Sequence, residues 1–149
     1  MTTIDPSRAQ SPLVVRRRFA APRERVFAAW TDRAQLERWY TPEDDSPVVI
    51  AEFDFRVGGH CRAEFGPPGE LPYVEIAEYR EIDPPARLAF TTVLTRGDLR
   101  IAETTCVLEF VDLGGSTELV MTERGFDEAM RDDRAGGWGR TLDHIARVL

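Results

Sequence analysis

The chain has 149 residues, a formal charge of −7 and a pI near 4.9. That length suits one domain that folds without staples, and that charge repels a phosphate backbone, so nucleic acid is not an expected partner. All 19 positive charges are arginine, and without lysine the chain has no route to Schiff-base catalysis or a lysine general base.

Residues 1 to 12 lack periodicity, contain Pro6 and Pro12 and hold no apolar leader, which reads as a mobile tail. From Leu13 to Phe19 the pattern alternates. Leu13, Val15, Arg17 and Phe19 share one strand face, so Arg17 stands on the apolar side. Pro22 suits the first turn of a short helix that carries Val26, Phe27 and Trp30 on one side. Asp32 is placed to cap a second helix, with Leu36 and Trp39 inward and Pro42 as its stop. Such a hairpin reads DNA only with a basic second helix, and Arg33 and Arg38 against Glu37 do not supply one.

Strand-like runs follow at Val48–Phe55, His60–Phe65, Tyr73–Ile82, Arg87–Thr95, Leu99–Val111 and Thr117–Glu123. Gly58-Gly59, Gly66-Pro67-Pro68-Gly69, Asp83-Pro84-Pro85, Arg96-Gly97-Asp98 and Gly114-Gly115 separate them as turns. With the first strand this predicts a seven-stranded antiparallel meander, interrupted once by the helical hairpin. In the last stretch, Asp127 to Leu149, the residues Trp138, Leu142, Ile145 and Leu149 recur at helical spacing. One long amphipathic helix should therefore cover a face of the sheet in an α+β domain, with any pocket between them.

No apolar run approaches the roughly 20 residues that a membrane span needs, so no membrane partner is expected. Cys61 and Cys106 lie in separate strand-like runs, which reads as a cytoplasmic protein with reduced thiols. Neither they nor His60 and His144 have metal-ligand spacing, so neither metal nor other cofactor is expected. No G-x-S-x-G is present.

Alternation gives an inward set of Phe53, Phe55, Cys61, Ala63, Phe65, Phe90, Leu108, Phe110, Leu119 and Met121, enough to line a pocket or to fill a core. Arg17 and Glu123 are polar among these apolar neighbours. Either they satisfy each other or a strand-end backbone group, or Arg17 offers a cation to an acidic or carbonyl-bearing ligand. Most acidic strand residues, among Glu64, Glu75, Glu78, Glu103 and Glu118, read as a solvated sheet face, so the sequence does not single out a carboxylate pair. Asp54 and Arg56 read as a salt bridge fixing the Gly58-Gly59 turn. In the final helix Gly136, Gly137 and Gly139 each cost about 1 kcal/mol relative to alanine. Close packing on the sheet, a late helix start with a kink before Trp138, or room left for a ligand would offset that cost.

Several segments taken together resemble one known family. Phe19-Ala20-Ala21-Pro22 with Val26-Phe27, then Trp30-Thr31-Asp32, Leu36, Trp39-Tyr40 and Pro42, resembles the opening of the SRPBCC (START-like) branch similar to the activator of Hsp90 ATPase. Asp54 to Gly59 is similar to its D-x-R-x-G-G turn, Glu81 to Thr91 to its E-I-x-P-P-x-R-L-x-F-T run, and Gly125-Phe126 and Gly137-Trp138 to its closing pairs. The resemblance implies a helix-grip (Bet v 1-like) fold, in which a curved antiparallel sheet grips the last helix around a deep, mostly apolar cavity. Relatives often carry a histidine where this chain has Arg134. In the eukaryotic co-chaperones the domain is joined to a separate N-terminal domain that carries much of the Hsp90 contact. A chain of 149 residues is expected to leave no room for that domain, so co-chaperone activity does not follow from the name.

The expected function is binding of an apolar small molecule between sheet and last helix. Candidate cavity residues are Arg17, Phe27, Trp30, Trp39, Phe53, Phe55, Phe65, Phe90, Phe110, Met121, Glu123, Arg134, Trp138 and Leu142. An enzyme of the cyclase or hydrolase kind would use the same cavity and draw on Arg17, Glu123, Arg134 or Tyr79 for acid–base work. A chaperone-associated interaction module is the third class. The oligomeric state, with a homodimer among the alternatives, is left open by the sequence.

Overall fold

The computed structural model describes residues 11–40 and 48–149. Residues 1 to 10 of the tail expected over residues 1 to 12, and Pro42 as a helix stop, lie outside those residues. In chain order the elements are β1 (Leu13–Phe19), α1 (Arg23–Thr31), α2 (Arg33–Trp39), β2 (Val48–Phe53), β3 (His60–Phe65) and β4 (Tyr73–Asp83). They continue with β5 (Arg87–Arg96), β6 (Leu99–Asp112), β7 (Thr117–Arg124) and α3 (Arg131–Val148). The strands form one seven-stranded antiparallel sheet in the order β1-β7-β6-β5-β4-β3-β2. A meander places β2 to β7 side by side, and β1 returns to the far edge against β7. With α3 packed against α2 and β1, this is the α+β helix-grip fold.

Local chemistry accounts for the boundaries. Asp32 ends α1 and starts α2, its Oδ1 accepting the Gln35 amide at 3.1 Å, as a short polar side chain does at an N-cap. The Asp54 to Gly59 turn closes β2 against β3, with Arg56 Nε 2.8 Å from Asp54 Oδ2. Glycine is required at 59, where a Cβ would stand 2.1 Å from the Asp54 carbonyl oxygen. That turn takes Asp54 and Phe55 out of the strand, so β2 ends two residues earlier than alternation predicts.

The last helix also differs from expectation. Asp127 Oδ1 accepts the Ala129 amide at 3.0 Å and opens a 3-10 turn over Glu128–Met130; α3 proper begins at Arg131. Arg131 then reaches back, donating to the carbonyls of Ser11 at 2.7 Å and Pro12 at 3.4 Å. The end of the expected tail is thereby tied to the helix. No helix among the described residues is long and apolar enough to cross a membrane.

The core lies between the concave sheet face and the three helices. Phe27 meets Phe110 edge-on with centroids 5.2 Å apart, while Leu108, Leu119, Met121, Leu142 and Ile145 are all but sealed from solvent. A bulge between Ile50 and Glu52 sets Ile50 and Phe53 on one face, and another between Tyr79 and Glu81 gives the inward place to Ile82. Strict alternation misses both shifts.

Candidate functional site

Between the helices and the sheet the core leaves a cavity of about 330 Å³. Its wall is built from aromatic rings in contact. Trp138 on α3 lies 6.2 Å from Trp30 on α1, Trp30 lies 4.6 Å from Trp39 on α2, and Trp39 stacks on Tyr40 at 5.7 Å. Phe65 on β3 continues the row 6.1 Å from Tyr40. The α1–α2 hairpin places two of these rings through its inward spacing, and Trp39 is held by its indole N–H donating to the Ala29 carbonyl at 2.7 Å. Trp30 is buried, and its Nε1 has no hydrogen-bond partner among the described residues.

Besides the exposed Asp133 at its edge, two inward carboxylates break this apolar wall. Glu123 on β7 is fully buried, and both its oxygens are taken by Arg134 of α3, with Nε to Oε1 at 2.5 Å and Nη2 to Oε2 at 2.8 Å. Trp138 Nε1 adds a bond to Oε2 at 3.2 Å, and the Cys106 thiol a weaker one at 3.4 Å. A fork of this kind neutralises a buried charge that would otherwise be prohibitive. It also raises the basicity of the Arg134 guanidinium further, the Glu123 hydrogen bond outweighing the opposing effect of burial.

Glu75 on β4 is the second carboxylate. Tyr40 donates its hydroxyl proton to Oε1, and among the described residues no donor reaches Oε2. Burial holds the Glu75 carboxyl above its ordinary range, against the lowering effects of the Tyr40 hydrogen bond and the Arg134 charge. Burial likewise raises Tyr40, with Glu75 adding to the shift, and raises Tyr79 beside Cys61. Cys61 is pushed up to about 11 by burial and by Glu75, and Cys106 is raised by burial and by Glu123. Both thiols therefore stay protonated near neutrality and are poor nucleophiles.

Seven of the fourteen expected positions line this cavity: Trp30, Trp39, Phe65, Phe90, Glu123, Arg134 and Trp138. The others are placed elsewhere. Arg17 does not meet Glu123; its guanidinium leans on α3, 2.6 Å from Asp143 Oδ1 and 3.3 Å from the Gly139 carbonyl. Phe27 and Phe110 are engaged with each other, and Met121 and Leu142 are sealed into the core. Phe55 packs edge-on against Tyr79 at 4.9 Å, with Phe53 stacked on it at 6.0 Å, so Tyr79 takes the wall position.

Glu75 is an exception to the reading of most acidic strand residues as a solvated face. On β4 it shares a face with Ala77 and Tyr79, both buried. Val74 and Ile76 on the opposite face made the alternation ambiguous, and with it the direction of Glu75. Tyr40 enters the sequence reading only within a motif; its i+4 spacing from inward Leu36 is the signal that places it on the cavity side. The helix glycines are not closely packed. A Cβ at Gly136 or Gly137 would meet nothing nearer than the Arg140 guanidinium, at 3.6 and 3.8 Å, and at Gly139 nothing within 4 Å. Nor does the helix start late, since α3 begins before all three, and Gly137 lines the cavity. Among the described residues no group of three or more histidine, cysteine or acidic side chains is placed to hold a metal ion.

Solved structures with the same architecture include the Mll3558 protein from Rhizobium loti, 28% identical, with a TM-score of 0.78 over 93% of this chain and 96% of that one. A putative uncharacterized protein from Rhizobium leguminosarum is 27% identical, with a TM-score of 0.79 over 91% of each chain. Protein CV1439 from Chromobacterium violaceum, at 22% identity and a TM-score of 0.79 over 94% of this chain and 98% of that one, shares the fold. Comparison with curated proteins returns no match. Residues 20–149 match the family model described as Activator of Hsp90 ATPase homolog 1-like protein, and the chain belongs to that family.

Proposed function

We propose that the protein binds an apolar small molecule in the cavity between sheet and helices. The observation that carries this reading is the cavity itself, about 330 Å³ walled by rings from α1, α2, α3 and the sheet. Protein interiors otherwise close such space, because unfilled volume forfeits packing contacts. The Trp30 indole, without a partner among the described residues, supports it further, since a buried donor gains from an acceptor on a ligand or a bound water. Buried, unpaired thiols at Cys61 and Cys106 suit a cytoplasmic setting.

Naphthylmethanol, an aromatic body with one hydroxyl, is a suitable probe. It should raise the melting temperature of the wild-type protein more than that of Ala77→Leu, because Ala77 lines the cavity from β4 and the larger side chain takes up part of its space. An equal shift in both proteins would place binding elsewhere.

Acid–base chemistry on a hydrophobic substrate is a second reading, favoured by the Glu75 carboxyl in the cavity wall beside the Tyr40 hydroxyl. Turnover of a naphthyl ester that disappears in Glu75→Gln, while naphthylmethanol still binds, would support it. Equal turnover by both proteins would remove it.

A further inference from the structure

The charges in the cavity wall do not balance. Among the described residues three carboxylates line it, Glu75, Glu123 and Asp133, against the single cation Arg134. Arg134 is committed, since its Nε and Nη2 both face Glu123 and leave that pair neutral. Asp133 is exposed, at the edge where α3 meets solvent. Glu75 is inside, and the groups that act on it are Tyr40 at the end of α2, Cys61 from β3, Cys106 from β6, Glu123 from β7 and Arg134 from α3, with Tyr79 of its own strand beside Tyr40 and Cys61. Among them Arg134 is the one cation, so among the described residues the negative charge of Glu75 has the Tyr40 hydroxyl but no cation of its own.

The surroundings of Glu75 also favour positive charge. Tyr40, Phe65 and the three tryptophans present aromatic rings, whose negative faces attract a cation, most strongly where water is excluded. An anionic ligand would meet an unpaired carboxylate and a guanidinium already engaged, so repulsion outweighs attraction. A neutral ligand would gain only the apolar contacts.

We infer that the cavity selects an amphiphilic amine, an apolar body carrying one protonated amino group that donates to Glu75 Oε2 while its ring or chain lies against the tryptophans. This specificity rests on the proposed binding of a small molecule in the cavity and adds the charge of its ligand. Because Glu75 titrates above the ordinary carboxylate range, amine affinity falls as the pH drops through that raised value and the carboxyl takes up a proton. The affinity of a neutral analogue stays level over the same range.

Three probes of one shape separate the two proposals: naphthylmethylamine, naphthylmethanol and naphthoate, titrated calorimetrically into the full chain at neutral and acid pH. The amine should bind at least about tenfold tighter than the alcohol, the yield of one charge-assisted hydrogen bond, and naphthoate weakest of all. Glu75→Gln should bring the amine down to the level of the alcohol without weakening the alcohol, which also shows that the variant cavity is intact. If alcohol and amine bind alike to wild type, or Glu75→Gln keeps the preference, the charge selectivity is wrong while small-molecule binding stands. Binding by none of the three overturns both proposals.

Discussion

Arg134→Met removes the guanidinium that faces both oxygens of Glu123 and keeps most of the side-chain stem. Glu123 is then left fully buried with only the Trp138 indole at 3.2 Å and the Cys106 thiol at 3.4 Å as donors. Breaking a buried ion pair costs about 3–5 kcal/mol, because the orphaned charge keeps its desolvation penalty. Arg134 retains 24% of its side-chain exposure and two donors to Glu123 survive, so the lower end, about 3 kcal/mol, is the appropriate figure. That is a large share of the roughly 5–15 kcal/mol that holds a domain folded. Urea denaturation followed by circular dichroism measures the loss, and Glu123→Gln completes a double-mutant cycle. The double variant should be more stable than Arg134→Met alone by at least about 1 kcal/mol, since no charge is left buried. A single-variant loss below about 1 kcal/mol, or simple additivity, would mean that water solvates this pair and the account of it is wrong.

Glu75→Gln has a signed effect on stability. The folded-state pKa of Glu75 is raised, so wild-type stability falls with rising pH between the unfolded value of about 4.3 and the raised folded value, and is level above it. Relative to wild type, the variant should therefore gain stability across that window and gain nothing below it; a gain that grows toward acid would refute the assignment. Gly136→Ala should stabilise α3 by about 0.5–1 kcal/mol, since its Cβ meets only a guanidinium at 3.6 Å, whereas Gly59→Ala should cost more than about 2 kcal/mol from a clash at 2.1 Å. Thermal melts of the two variants should move in opposite directions. Cys61 alkylation by iodoacetamide should be slow at neutral pH and climb as the pH approaches about 11, while Cys106 stays unreacted in the folded protein; rapid neutral labelling of either would contradict their placement.

Much of the fold was legible from period and punctuation. β1 and β3 begin and end where alternation placed them, and Asp32 caps α2 as its residue type suggests. What escaped was set by tertiary structure. The bulges after Ile50 and Tyr79 shift inward parity by one residue, which no local signal on those strands announces. The final helix was found by its Trp138 stripe, but its true start depends on the 3-10 turn that Asp127 opens. In the site, Glu123 and Arg134 were both singled out, one for its apolar neighbours and the other for standing where relatives often hold a histidine. Their pairing across β7 and α3 is a long-range fact that spacing cannot encode. Arg17 was assigned to the correct face, yet its length carries the guanidinium past the core to Asp143. Glu75 lies on a strand apolar on both faces, where alternation alone cannot tell cavity from solvent.

All three tryptophans of the chain line the cavity, so their indole N–H signals report directly on whether it is occupied. Titrating naphthylmethanol into isotope-labelled protein should shift all three in the nuclear magnetic resonance spectrum, Trp30 most, because its N–H has no partner among the described residues while Trp39 and Trp138 are bonded to Ala29 and Glu123. Shifts confined to backbone amides on the outer sheet face, with the indole signals unmoved at saturating probe, would contradict ligand binding in the cavity.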